Sequence, residues 1–112
     1  MIRLKEGVRL TNLCPQMVTA MHIVNEQYIY NGVFECWITS GSDGIHKPTS
    51  LHYKGQALDF RLHNVPVLIR SEVIEKIKAA LLHGQGQYEV YHESVGTDNE
   101  HLHVEYDPKP SP

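Results

Sequence analysis

The stretch ALDFRL, from Ala57 to Leu62, alternates between apolar or small residues and charged ones. Alternation with a period of two is typical of a β-strand that buries one face and leaves the other accessible. We expect the large apolar side chains to face a core, and Asp59 and Arg61 to lie on the opposite face. The stretch therefore predicts one strand of a sheet that is covered on one side only.

The segments on either side of this strand show similar patterns. Apolar residues recur at helical spacing over 15–30, a segment that begins with proline and ends before Asn-Gly, and again over 67–83. Further strands are predicted at 33–39, 87–92 and 101–106. Two helices and about four short strands predict a small α+β fold, in which a central antiparallel sheet carries both helices.

Length and composition limit the class of protein. The chain has 112 residues, 41% hydrophobic and 21% charged, which suits one globular core. We expect a single domain over 1–106 and a proline-rich flexible tail over 107–112. The net charge of −3 argues against nucleic acid as a partner. No uncharged run reaches the roughly 20 residues of a membrane span, and the start resembles no secretory signal. We therefore expect a monomer that is made in the cytoplasm and does not bind membranes.

The two cysteines, Cys14 and Cys36, lie outside any C-x-x-C motif. Two reduced, buried thiols are the simpler interpretation. A disulfide stays open for an oxidising compartment.

Histidines and a carboxylate on two predicted strands, and in the loop that precedes the first of them, form a candidate metal site. His52 and Asp59 are seven residues apart, with Gly55 free to turn the chain and Ala57 too small to obstruct the space between them. His103, on the polar face of the last predicted strand, completes the set. Two imidazoles and one carboxylate suit Zn²⁺, and three protein ligands leave a fourth position for water. The sequence predicts a catalytic zinc site.

Neighbouring residues receive predicted roles at this site. Glu100 precedes His103 by three residues, and we expect it to be the general base that takes a proton from the water as it attacks a carbonyl. His101 shares the polar face of His103 and is expected to hydrogen-bond a metal ligand. His63 and His92 have no such partners in the pattern and receive no role.

The spacing of these residues resembles that of a known family. In the zinc D-alanyl-D-alanine carboxypeptidases and dipeptidases, and in the related L-alanyl-D-glutamate endopeptidases of phage endolysins, S-x-H-x-x-G-x-A-x-D is followed later by E-x-x-H. The chain carries the first pattern at 50–59 and the second at 100–103, and the resemblance extends over 37–61 and 100–106. It implies a small α+β zinc peptidase acting on peptidoglycan stem peptides, with the ligands and base named above.

Two positions depart from the family pattern. The family commonly has an arginine shortly after the preceding strand, where it polarises the scissile carbonyl or holds a substrate carboxylate. Asp43 stands there in this chain, and Leu102 stands where relatives often have tryptophan. The candidates for the missing cation are His46, Lys47 and Arg61.

Three functions are open at this point. The leading one is a zinc peptidase, carboxypeptidase or endopeptidase, that reaches the cell wall after release from the cell, as in phage lysis. The second is a non-catalytic zinc-binding module for recognition or structure, which Asp43 favours and Glu100 disfavours. In the third there is no metal, and His52 and His103 make unrelated hydrogen bonds.

Overall fold

The computed structural model describes residues 1–44 and 46–109. The elements in chain order are β1 Ile2–Leu4, α1 Pro15–Tyr30, β2 Cys36–Ser40, β3 Ala57–Arg61, α2 Val67–Ala80, β4 Tyr88–Glu93 and β5 His101–Tyr106. The strands form one sheet in the order β1-β2-β3-β5-β4, and every neighbouring pair is antiparallel except β1 and β2. This single domain confirms the predicted α+β class.

Both helices pack on the same face of the sheet because each presents an apolar stripe. The buried side chains of the helices are Met17, Ala20, Val24, Tyr28, Val73, Ile74 and Ile77. Their spacing of three or four residues places them on one side of each helix. They meet Leu58 and Phe60 of β3 and Leu102 and Val104 of β5, all fully buried. Among the described residues, neither helix is long and apolar enough to cross a membrane.

The opposite face of the sheet carries the polar side chains, and strand register decides which of them are neighbours. In the pairing of β3 with β5, Asp59 lies opposite His103 and Arg61 opposite His101. In the pairing of β4 with β5, Glu93 lies opposite His101. Directly opposed residues have Cβ atoms about 4.5–5.5 Å apart. The register therefore gathers histidines and carboxylates from three strands.

The strand predicted at 33–39 and the helix predicted at 67–83 are both shorter in the structure, where they span Cys36–Ser40 and Val67–Ala80. The first helix ends in a turn in which the Val33 N–H donates to the Tyr28 carbonyl at 2.8 Å, so the next strand begins only at Cys36. The second helix ends because Leu82 adopts a φ of 52° and the His83 N–H donates back to the helix, a helix-ending motif.

Strand β1 was not predicted. Its parallel pairing with β2 is a long-range contact, reinforced by the Arg3–Glu35 ion pair at 3.2 Å. Its three residues are too few to give a strand pattern of their own.

The start of the proline-rich tail continues along the sheet. The backbone N–H of Asp107 donates to the Gln87 carbonyl and that of Lys109 to the Gly86 carbonyl, both at 2.9 Å. Residues 107–109 therefore extend the pairing of β5 with the approach to β4. The remainder of the predicted tail, 110–112, lies outside the described residues.

Both cysteines are free thiols in the structure. Cys36 is fully buried at the start of β2, and burial raises the pKa of its thiol to about 12. Cys14 precedes α1 and is partly exposed. At neutral pH the Cys36 thiol is protonated and behaves as a small apolar side chain.

Candidate metal centre

His52 lies in the irregular segment between β2 and β3, where backbone contacts fix its ring. Gly55 has a φ of 69°, and a Cβ there would lie 1.9 Å from the Asn12 carbonyl oxygen, so only glycine fits. The Ser50 hydroxyl accepts a hydrogen bond from the His52 N–H at 3.2 Å. Nδ1 of His52 lies 2.9 Å from the Gly41 carbonyl oxygen. Because a carbonyl only accepts, Nδ1 carries a proton, and Nε2 is the nitrogen that faces the sheet.

Asp43 supports the turn that supplies this carbonyl. Its Oδ1 accepts hydrogen bonds from the N–H groups of Gly41 at 2.9 Å and Arg9 at 2.8 Å. Burial would raise the pKa of Asp43, but these backbone hydrogen bonds bring it below its ordinary value. Gly41 is itself required, since a Cβ there would lie 2.1 Å from the Arg9 carbonyl oxygen. The residue that replaces the expected arginine thus helps to orient His52.

The three predicted ligands come together on the accessible face of the sheet. Oδ1 of Asp59 lies 3.3 Å from Nε2 of His52 and 2.9 Å from Nδ1 of His103. The ligand atoms all lie within 4.8 Å of one another, and the three side chains are 5, 15 and 13% exposed respectively for His52, Asp59 and His103. These residues form a group that could hold a metal ion.

The nitrogen of each imidazole that is turned away from Asp59 also has a partner. His52 uses its Nδ1 on the Gly41 carbonyl, and Nε2 of His103 lies 2.8 Å from Oε1 of Glu105. Glu105 is two residues beyond His103 and therefore on the same face of β5. Histidines that bind metals are typically oriented in this way, by a carbonyl or carboxylate on the nitrogen that does not bind.

The charges at the centre favour a cation between the carboxylates. Burial would raise the pKa of Asp59, but hydrogen bonds with His103 and His52 hold it well below its usual range. Burial would lower the pKa of His103, but Asp59 and Glu105 raise it to about 9. His103 is therefore an imidazolium at neutral pH when no metal is bound. A metal ion would take the place of that proton.

Replacing Glu105 with glutamine is expected to weaken metal binding by roughly 10–100-fold, because the variant loses the carboxylate that orients His103. Isothermal titration of the metal-free protein with Zn²⁺ measures the change. Glu75→Gln, which removes a carboxylate that is 70% exposed on α2, serves as the matched control. Equal affinity of Glu105→Gln and the control would contradict the orienting role.

A cavity of about 490 Å³ opens beside the three ligands. Its walls include His46, Lys47 and Ser50 from the loop and Glu93 and Glu105 from the sheet. The His46 ring stacks on that of His52 at a centroid distance of 4.2 Å, and its Nε2 lies 2.8 Å from the Asp43 carbonyl oxygen. His46 therefore forms a wall of the cavity, and Lys47 supplies its cationic group.

Arg61, the third candidate for the missing cation, faces another part of the sheet. Its guanidinium lies over the Trp37 ring at 4.9 Å, and it lines a different cavity of about 310 Å³ together with Lys5 and His63. The expectation that Arg61 faces the ligands' cavity is not met. The reason is that two residues along a strand displace a side chain by nearly 7 Å.

Glu100 is not at the candidate metal centre. It precedes β5 and is only 7% exposed. Its carboxylate forms hydrogen bonds with Arg70, His92 and Gly96. Oε2 lies 3.0 Å from Nη1 of Arg70 on α2 and 2.7 Å from Nε2 of His92, while Oε1 accepts the Gly96 N–H at 3.1 Å. Residues three apart on an extended chain point to opposite faces, which separates Glu100 from His103. The predicted position beside the metal water is therefore wrong.

The surroundings of Glu100 also oppose a role as base. Hydrogen bonds from His92, the Gly96 N–H and Arg70 lower its pKa to about 2. A carboxylate held this firmly in its ionised form is a weak proton acceptor. His92, to which the sequence assigned no role, is part of this buried cluster. Nε2 of His63 lies 2.6 Å from the Asp98 carbonyl oxygen, away from the candidate ligands.

His101 lies on the same sheet face as the ligands, but the hydrogen bond expected between it and a ligand is not formed, because the nearest ligand oxygen is too far away. Its Nε2 is 3.9 Å from Oδ2 of Asp59 and 2.9 Å from Oε1 of Glu93. Glu93 and Glu105 were not selected from the sequence. Glu105 could have been found from its place two residues after His103 on one strand face. Glu93 could not, because only the register of β4 against β5 brings it here.

Comparisons of the chain with protein-family models, with curated proteins and with solved structures return no match. The geometry of the centre and the resemblance of its motifs are therefore the grounds on which a function is proposed.

Proposed function

We propose that this protein is a zinc-dependent peptidase that hydrolyses amide bonds of peptidoglycan stem peptides. The observation that carries the proposal is the convergence of His52, Asp59 and His103 beside an open cavity, with both imidazoles oriented by a second hydrogen bond. A purely structural metal site is usually closed by four protein ligands. Three ligands at the wall of a cavity suit catalysis better.

The donor set fits zinc. Tetrahedral Zn²⁺ with bonds of about 2.0–2.1 Å places its ligand atoms roughly 3.3 Å apart. The separation of His52 Nε2 from Asp59 Oδ1 is 3.3 Å, and that of His103 Nδ1 from Asp59 Oδ1 is 2.9 Å. The second pair needs to widen by a few tenths of an ångström, which a side-chain rotation supplies. Imidazole and carboxylate together are also the ligand types that zinc accepts.

Zinc with three protein ligands supplies a position for water or substrate, lowers the pKa of bound water and polarises a carbonyl. The protein's part is to place groups around that position. Glu93 lines the cavity, and its carboxylate is 46% exposed and orients no metal ligand. We assign it the role of proton acceptor, with His101 as its hydrogen-bonded partner. Glu105 is unsuited to this role because it holds His103.

Substrate recognition is assigned to the loop side of the cavity. Lys47 is exposed at its edge and forms no ion pair in the part of the chain that the structure describes. A free ammonium group there suits a carboxylate of a peptide, which stem peptides carry in several places. The stem-peptide class itself is supported by the resemblance at 50–59 and 100–103. Lys47 thus takes the place that an arginine holds in the family.

A non-catalytic zinc-binding module is the second candidate. The position of Glu100 on the other face of the sheet favours it, because the base expected from the motif is absent from the centre. The open cavity and the accessible carboxylate of Glu93 favour the peptidase. The two candidates differ in turnover and agree in metal binding.

Mass analysis of muropeptides distinguishes the two candidates. We expect the full chain loaded with one equivalent of Zn²⁺ to convert a purified cell-wall digest, with loss of terminal D-alanine if it is a carboxypeptidase or with internal cleavage if it is an endopeptidase. The chelator-treated protein should be inactive, and added zinc should restore it. Intact muropeptides after incubation with protein shown to hold zinc would contradict the peptidase and support the module.

A further inference from the structure

A second group of possible ligands adjoins the first. His101, Glu93 and Asp59 offer one ligand atom each within 4.8 Å of one another. Nε2 of His101 lies 2.9 Å from Oε1 of Glu93 and 3.9 Å from Oδ2 of Asp59. These separations bracket the roughly 3.3 Å expected between two ligands of a tetrahedral zinc ion.

The His101 ring is oriented as a ligand would be. Its Nδ1 lies 2.6 Å from the Asn99 carbonyl oxygen. Since a carbonyl only accepts hydrogen bonds, Nδ1 carries a proton and Nε2 is directed at two carboxylates. The backbone carbonyl on the far nitrogen is the arrangement seen at metal-binding histidines.

Asp59 connects the two groups through its two oxygens. Oδ1 faces His52 and His103, whereas Oδ2 faces His101. A carboxylate placed in this way can bridge two cations, and two-metal centres have their ions about 3.5–4 Å apart. Glu93 and Glu105 add further negative charge around the pair.

We propose that Asp59, Glu93 and His101 form a second subsite for a divalent metal ion, bridged to the first by Asp59. This inference rests on the metal centre of the proposed function and not on its catalytic role. The subsite binds more weakly than the first, because Glu93 is 46% exposed and the first ion repels the second. A second ion also engages Glu93, the assigned proton acceptor. Turnover should therefore be highest with one equivalent of zinc and should fall when zinc is added in excess.

Metal stoichiometry tests the subsite independently of activity. We expect titration of the metal-free full chain with Zn²⁺ to show one tight and one weaker site. Glu93→Gln and His101→Ala should each lose the weaker site and keep the tight one. The matched control His63→Ala, which alters a histidine outside the centre, should keep both. A single equivalent in the wild type, or two in the Glu93→Gln and His101→Ala variants, overturns the second subsite and leaves the first in place.

Cobalt substitution tests the bridge. With Co²⁺, we expect the electron paramagnetic resonance signal of the first ion to decrease as the second binds, because a bridging carboxylate couples the two spins. Two independent signals would place the second ion elsewhere and overturn the proposal. Binding of no metal at all would contradict the proposed function together with this inference, an outcome distinct from the binding of one ion.

Discussion

Alanine in place of His52, Asp59 or His103 is expected to abolish tight zinc binding and, with it, all zinc-dependent turnover. A centre with three protein ligands cannot lose one and keep its affinity. Zinc affinity should fall by more than the roughly 10–100-fold expected when an orienting partner such as Glu105 is removed. Zinc content after dialysis and isothermal titration measure it.

The matched control for this series is His22→Ala, which removes an exposed histidine from α1. It should retain the full zinc content and the affinity of the wild type. Full zinc content in His52→Ala would show that the ligand assignment is wrong. Thermal melting of each metal-free variant separates a lost ligand from a lost fold.

The pH dependence of zinc binding follows from the raised pKa of His103. Its imidazolium, held between Asp59 and Glu105 with a pKa of about 9, must lose a proton before the ring binds zinc. Apparent affinity should therefore fall by about tenfold per pH unit below 9 for this one proton. The free energy of unfolding of the metal-free protein should change in the opposite direction and fall as the pH rises. The stabilisation from protonated His103 is complete below about pH 6.5 and is lost as the pH rises through 9.

Glu93→Gln is expected to lower turnover by roughly 10²–10⁴-fold while the first zinc stays bound, because it removes the proton acceptor and leaves the three ligands in place. Muropeptide cleavage and zinc content are measured on the same preparation. Undiminished turnover with zinc bound would exclude Glu93 as the acceptor.

Glu100→Gln provides the contrast, since the motif alone predicts that this carboxylate is the base. The structure predicts unchanged turnover per folded molecule and a lower free energy of unfolding, by about 3 kcal/mol, because Arg70 loses its charged partner while only 12% exposed. Glu35→Gln, in an exposed ion pair with Arg3, should cost about 0–1 kcal/mol. Chemical denaturation measures both. Loss of turnover in folded, zinc-loaded Glu100→Gln would restore Glu100 to the mechanism.

The stability difference between Glu100→Gln and the wild type should depend on acidity. The pKa of Glu100 is lowered to about 2, so its charge stabilises the folded state fully above about pH 4.5. This stabilisation is lost as the pH falls from about 4.5 to 2. The two proteins should therefore become more alike in stability over that interval.

Much of the fold could be predicted because its signals are local. The alternation at 57–62 and 101–106 and the helical spacing at 15–30 each reflect a burial pattern within one segment. The three candidate ligands could also be chosen from the sequence. Gly55 and Ala57 indicate a turn that leaves space between His52 and Asp59, and the alternation in the last strand indicates the face on which His103 lies.

The sequence by itself therefore determined the α+β class, the apolar faces and the group formed by His52, Asp59 and His103. The tertiary structure decided which carboxylates accompany that group. Glu93 reaches His101 only through the register of β4 against β5, and Glu100 is held by Arg70 of α2 on the opposite face. Contacts between residues far apart in the chain leave no periodic signal, because they depend on how finished elements pack. Glu100 and His103 are three residues apart, which suggests a motif, but side chains three residues apart on an extended strand point to opposite faces.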